Sequence, residues 1–174
     1  MKLLKILLLF IIPLSLFANS ANFAKEEIDG AFGIKLGQEV KGKYFKKFIK
    51  IKDIQGFDGF DEYWYSITPK SNLVYRIFAE KRDFKEGKCG ESFDLISIYL
   101  QEKYGKIEKE ITYPTIANYE EFLWFSKDKN RRILLRCSEK LEQFYLDYRD
   151  FNLTDKAEKE KQEIELNKIK QLGL

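Results

Sequence analysis

Histidine is absent from this 174-residue chain, and Met1 is its single methionine. Without an imidazole, no side chain has an ordinary pKa near neutrality, so Ser-His-Asp and Cys-His sites are excluded. Zinc held by His, copper held by His or Met, and haem held by either are excluded with them. Oxygen ligands remain, which suit calcium or magnesium. The acidic run Asp53, Asp58, Asp61 and Glu62 misses the alternating spacing of a calcium loop and reads as a solvated turn. Cysteine is scarce too. Cys89 and Cys137 are too few and too far apart for a CxxC redox site or a metal knuckle. No P-loop, GxGxxG or GxSxG occurs. The chain is expected to carry no cofactor and no metal, and to have no catalytic residue.

What is present starts with an address. Lys2 and Lys5 precede a greasy run over 6–17, and Ala18-Asn19-Ser20 then offers small residues before Ala21. That is the layout of a secretory signal peptide. The run is short of the roughly 20 residues a membrane span needs. No cysteine follows it, so a lipidated N-terminus is not available. The reading divides the chain into a signal peptide over 1–20, one α+β domain over 21–150 and a charged helix over 151–174. It places the protein in the periplasm or outside the cell, with no transmembrane segment after cleavage. Losing Lys2 and Lys5 takes the 31 basic residues to 29 against 28 acidic, a net of +1. So even a balance argues against a nucleic-acid partner. Aromatic residues at 16% and charged residues at 34% describe a globular chain with a core.

Periodicity supplies the fold. A short strand is expected within 29–37, a second over 43–52, and a hairpin of 62–68 with 73–82 about Pro69-Lys70-Ser71-Asn72. In the latter strand Leu73, Tyr75, Ile77 and Ala79 are expected to face the core. Phe93, Ile96, Leu100 and Tyr104 make one helical stripe, and Cys89 falls on it; Gly105 stands where a helix closes. Strands follow over 106–113, 119–125, 131–138 and 141–149. Ile133, Leu135 and Cys137 share one face, with Arg132 and Arg136 on the other. Both cysteines therefore point to one helix–sheet interface, and an oxidising compartment predicts a bond between them. A second helix over 153–172 carries a thin stripe of Leu153, Ala157 and Ile164. The fold class is α+β: a mostly antiparallel sheet packed against one central helix, with a charged C-terminal helix.

Candidate binding residues are few. Lys43, Lys46, Lys47 and Lys50 belong to a lysine-rich, aromatic-interleaved strand that could meet an anionic partner, or guard a sheet edge against aggregation. Tyr63-Trp64-Tyr65 and Phe122-Leu123-Trp124-Phe125 read as core strands before stacking platforms. Glu120 and Glu121 are strand neighbours and point to opposite faces, which does not suit paired-carboxylate hydrolysis.

Several segments resemble a family of small exported bacterial proteins of no established function. They are Phe32-Gly33-Ile34-Lys35-Leu36-Gly37-Gln38, Glu102-Lys103-Tyr104-Gly105-Lys106, Arg132-Ile133-Leu134-Leu135-Arg136-Cys137 and Tyr145-Leu146-Asp147-Tyr148-Arg149-Asp150. The resemblance implies a periplasmic α+β domain with one disulfide and carries over no catalytic residue. The function expected is an exported soluble binding or accessory module acting on an envelope protein or cell-wall component. Two alternatives stand beside it. One is a cell-wall hydrolase using carboxylates or a Ser–Lys pair; the other is a hydrolase inhibitor presenting the loop 55–61.

Overall fold

The computed structural model describes residues 26–41, 48–51, 60–82, 88–113, 119–138 and 140–173. Among them β1 (Gly30–Ala31) and β2 (Ile34–Lys35) pair in a small sheet. The remaining strands are β3 (Ile49–Lys50), β4 (Glu62–Ile67), β5 (Val74–Arg82), β6 (Lys109–Tyr113), β7 (Tyr119–Phe125), β8 (Arg131–Ser138) and β9 (Gln143–Asp150). They form one antiparallel sheet in the order β3-β4-β5-β9-β8-β7-β6. Helix α1 (Lys88–Tyr104) packs on β8 and β9, and α2 (Phe151–Gln171) contacts β5 and β9. The architecture is α+β, as the periodicities predict.

The core lies between α1 and one face of the sheet. Cys89, Phe93, Ile96, Leu100 and Tyr104 are all buried there, against Ile77, Ala79, Ile133, Leu135, Phe144 and Leu146. Glu91 in the first turn of α1 and Lys103 in the last complement its dipole. Gly105 ends it with φ 88°, a left-handed conformation that glycine adopts without strain. Trp124 is buried, and its indole N–H donates to the Gly105 carbonyl at 2.9 Å. Cys89 and Cys137 are bonded, with Cα atoms 5.9 Å apart, and tie the first turn of α1 to β8.

Two sequence expectations are corrected. The segment 29–37 is a hairpin of two very short strands and not one strand. Phe32 (φ 53°) and Gly33 (φ 76°) both take positive φ and turn the chain between β1 and β2. In β5, Val74 is fully buried while Leu73 and Tyr75 are only half-buried. Ser66 pairs with Arg76 and Ile67 with Val74, so Tyr75 is skipped at a bulge and the inward set changes parity there.

Helix α2 starts on Asp150, whose carboxylate accepts from the Leu153 N–H at 3.0 Å. Its anchor is a residue the apolar stripe omits. Glu160 is buried and accepts from the Lys70 N–H at 2.6 Å, the Ser71 N–H at 3.2 Å and the Ser71 hydroxyl at 2.7 Å. Leu153 and Ile164 are half-buried beside buried Ala157, and every residue over 165–173 is exposed. Burial pushes the Glu160 carboxyl up, but those donors and Lys156 outweigh it, so its pKa lies below the ordinary 4.5. A carboxylate with a lowered folded pKa stabilises the fold at higher pH and loses that contribution in acid. Glu160→Gln will therefore cost about 1–3 kcal/mol at neutral pH. The gap to the parent will close as pH falls below 4.5. Urea midpoints of both chains from pH 3 to 8 check this, and a pH-independent gap would refute the carboxylate anchor. A chain ending at Lys161 keeps the anchor and will fold.

Candidate functional site

Strand alternation places one set of side chains under α1 and the other on the opposite face of the sheet. On β5 the second set is Arg76, Phe78 and Glu80; on β9 it is Arg149, Asp147 and Tyr145; on β8 it is Arg132, Leu134 and Arg136. The register then fixes three rows across these central strands. Arg76, Arg149 and Arg132 stand side by side, followed by Phe78, Asp147 and Leu134, then Glu80, Tyr145 and Arg136. Like charges directly opposite on a ladder repel one another. Three arginines in one row need a local reason to be there.

Asp147 supplies part of it. Its carboxylate is 1% exposed and sits at the centre of the group. Arg76 Nε donates to its Oδ1. Arg149 Nη2 lies 3.3 Å from Oδ2 and Arg132 Nη2 3.7 Å, distances of ion pairing without hydrogen-bond geometry. One carboxylate has about four lone-pair sites, while each guanidinium carries five N–H donors. The accounting leaves donors over: Nε of Arg132 and Nε of Arg149 are both buried with no acceptor. Each such group costs about 1–3 kcal/mol relative to a paired one. The rest of the support is aromatic. Arg76 lies 4.7 Å from the Phe78 ring centroid and Arg132 lies 5.5 Å from that of Phe151. Burial lowers the Arg149 pKa and the Arg76 and Arg132 charges lower it further, while Asp147 raises it in part.

One row along, Arg136 is already matched. Its Nε and Nη2 both meet the buried carboxylate of Glu121. The guanidinium also lies 4.5 Å and 4.9 Å from the ring centroids of Tyr119 and Tyr145. Burial holds the Tyr145 phenol above its usual range, with Arg136 opposing and Asp147 and Glu121 adding to the rise.

Between these groups is a shallow hollow of about 270 Å³, lined only by residues of β5, β6, β7, β8 and β9. The cations lining it are Arg76, Lys109, Arg132, Arg136 and Arg149; the carboxylates are Glu121 and Asp147. Leu123 and Leu134, both buried yet outside the core cluster under α1, make its floor. Guanidiniums do not exchange protons near neutral pH, so the chemistry of this set suits holding an anion and not shuttling protons.

A second hollow, of about 420 Å³, is rich in carboxylates from Glu26, Glu27, Asp128 and Asp150. Arg131 spans it, donating to Asp150 at 3.0 Å and to the Ile28 carbonyl at 3.1 Å, and so ties the N-terminal segment to the sheet. Hydrogen bonds from the Ser126 hydroxyl and from Asn130 hold Asp128 down at about 2. No group of three or more His, Cys, Asp or Glu side chains among the described residues could hold a metal ion.

Of the lysines singled out in the sequence, Lys50 is on β3, opposite Trp64 in the register and on the arginine face of the sheet. It pairs with Glu62 at 3.1 Å and lies 5.7 Å from the Trp64 ring centroid. Lys43, Lys46 and Lys47, the signal segment 1–20 and residues 55–59 of the proposed loop lie outside the described residues. Glu120 and Glu121 do point apart, with Glu121 on Arg136 and Glu120 on the α1 side. Burial, with Asp94 and Glu110 alongside, holds the Glu120 carboxyl above its ordinary value. The Asp147 cluster was not anticipated. A signal for it exists in residue choice. All six arginines of the chain fall on β5, β8 and β9, which are adjacent, whereas its lysines are spread along the whole length.

Compared with protein-family models, characterised proteins and solved structures, the chain matches none.

Proposed function

We propose that this chain is an exported binding or accessory module that holds an acidic component of the cell envelope on the arginine-bearing face of its sheet. One observation carries the reading: among the residues lining the hollow on that face, five cations meet two carboxylates. Arginine suits such a role because its planar fork stays charged and recognises carboxylate and phosphate oxygens in pairs. A catalyst at neutral pH needs a group poised to give and take a proton. The arginine set offers none, and the chain has no histidine to add one. The Lys2–Ser20 pattern supports delivery to the envelope.

Photo-crosslinking in intact cells tests both halves. A photoreactive phenylalanine analogue at position 64 or 125, on the arginine face, will give an adduct with an envelope component. The same analogue at exposed position 158 of α2 will give none. The recovered protein will be soluble and will begin near Asn19 or Ala21. Adducts only from position 158 would defeat the face, and full-length protein in the inner membrane would defeat export.

A further inference from the structure

Building on that reading, we propose that Arg76, Arg132 and Arg149 form a receptor for the dianionic head of a phosphomonoester. The argument is one of charge and of unspent donors. Arg76, Arg149 and Arg132 are consecutive partners across β5, β9 and β8, so their backbones are about 4.8 Å apart from strand to strand. The three charges share one carboxylate, Asp147, leaving the cluster two positive charges in excess. The neighbouring cation Arg136 has Glu121 to itself and adds no such excess. Of the three positive charges in excess around the hollow, two therefore belong to the triad and the third is Lys109.

The donors agree. Arg132 Nε and Arg149 Nε are buried and without an acceptor, and Asp147 accepts a hydrogen bond at Oδ1 from Arg76 while its buried Oδ2 accepts none. A ligand that completes the cluster must bring two negative charges to three guanidiniums that are each about a quarter exposed at the hollow. A carboxylate or a phosphodiester brings one charge. A phosphomonoester brings −1.5 to −2 at pH 7 and three acceptor oxygens. The remainder of such a ligand has a place as well. Leu134 and Leu123 continue from the triad towards Lys109 at the β6 edge, an apolar floor with a cation at its far end. The phosphomonoester can be borne by a soluble metabolite or by a lipid head group at a membrane surface.

Calorimetric titration of the mature chain at pH 7.5 and 0.15 M salt tests the class. Phenyl phosphate is expected to bind at least tenfold more tightly than benzoate or diphenyl phosphate. Arg132→Gln and Arg149→Gln should each lose at least tenfold, and Arg82→Gln, at an exposed arginine outside the hollow, should stay within about twofold. If a glutamine variant does not fold, Arg149→Lys keeps the charge but not the fork, and should still lose most of the preference. Vesicles containing phosphatidic acid, compared with phosphatidylglycerol vesicles of equal charge, separate the two sources. Preferential binding to the former assigns the lipid, and binding of phenyl phosphate with no vesicle preference assigns a soluble ligand. Equal affinity for all three small anions would overturn the phosphomonoester while leaving an acidic partner on this face. Failure to bind any of them, with crosslinks from positions 64 and 125 intact, would do the same. Loss of those crosslinks would remove the underlying reading.

Discussion

Replacing Asp147 by alanine will destabilise the domain by about 3–5 kcal/mol, the range for removing one partner of a buried ionic group. Asp147 is nearly inaccessible, and three guanidiniums converge on it from three strands. Without the carboxylate their charges face one another at ladder spacing, each only about a quarter exposed. Guanidinium chloride is itself a salt and would screen these charges, so urea is the denaturant of choice. The midpoint should fall with an unchanged slope, which signals lost stability and not a changed denatured state. Millimolar phosphate should recover more stability in the variant than in the parent, since an anion that binds only the folded chain stabilises it by mass action. A second variant sharpens the test. Converting Asp147 and the triad together to leucine and methionine should be close to neutral, because no charge is then left unpaired. A loss below 1 kcal/mol in Asp147→Ala would mean that water already screens the arginines, and the cluster would lose its special status.

The disulfide sets the second large effect. Cys89 and Cys137 are 48 residues apart in sequence. Closing a loop of that length removes enough denatured-state entropy to stabilise the fold by about 4 kcal/mol. For a domain of this size that is a large part of the 5–15 kcal/mol available. The double variant Cys89→Ala, Cys137→Ala should show the loss in urea unfolding without burying a hydroxyl in the core. Thiol labelling of the unreduced, unfolded parent should find no free sulfhydryl. Two labelled thiols per chain, or a double variant as stable as the parent, would contradict the bond's role.

What could be read from the sequence followed the range of the interactions concerned. The α1 stripe and the hairpins of β4–β5 and β7–β8 are local, set by steps of three and four or by turn residues, and they stand where periodicity puts them. The two cysteines met because a helical period and a strand period each resolve one face. The failures are also local in cause. A positive φ at Phe32 split one expected strand into β1 and β2, and the bulge at Tyr75 reversed inside and outside at the start of β5. Neither leaves a mark in hydrophobic spacing. The arginine cluster is a different case. Arg76 and Asp147 are 71 residues apart and meet only because β9 inserts between β5 and β8. Alternation showed Arg132 and Arg136 facing away from the core, but no pattern within a single strand says which strands will be neighbours. Glu160 was hidden for a related reason: a carboxylate that caps a distant turn looks like any solvated charge on a Lys- and Glu-rich helix.

That insertion of β9 also governs the order in which the molecule can be made. The strands before it form two separate runs, β3-β4-β5 and β6-β7-β8, and each pairs only within itself. The strand that joins them is the last of this sheet in chain order among the described residues, so a chain short of residue 143 has two half-sheets, each with an open edge where β9 belongs. Neither half can complete the surface on which α1 rests, since α1 packs on β8 and β9 together. Folding is thereby held back until β9 is available, and it then proceeds through pairings distant in sequence, which are slow to form. A chain of this topology stays loose until β9 has joined its two halves.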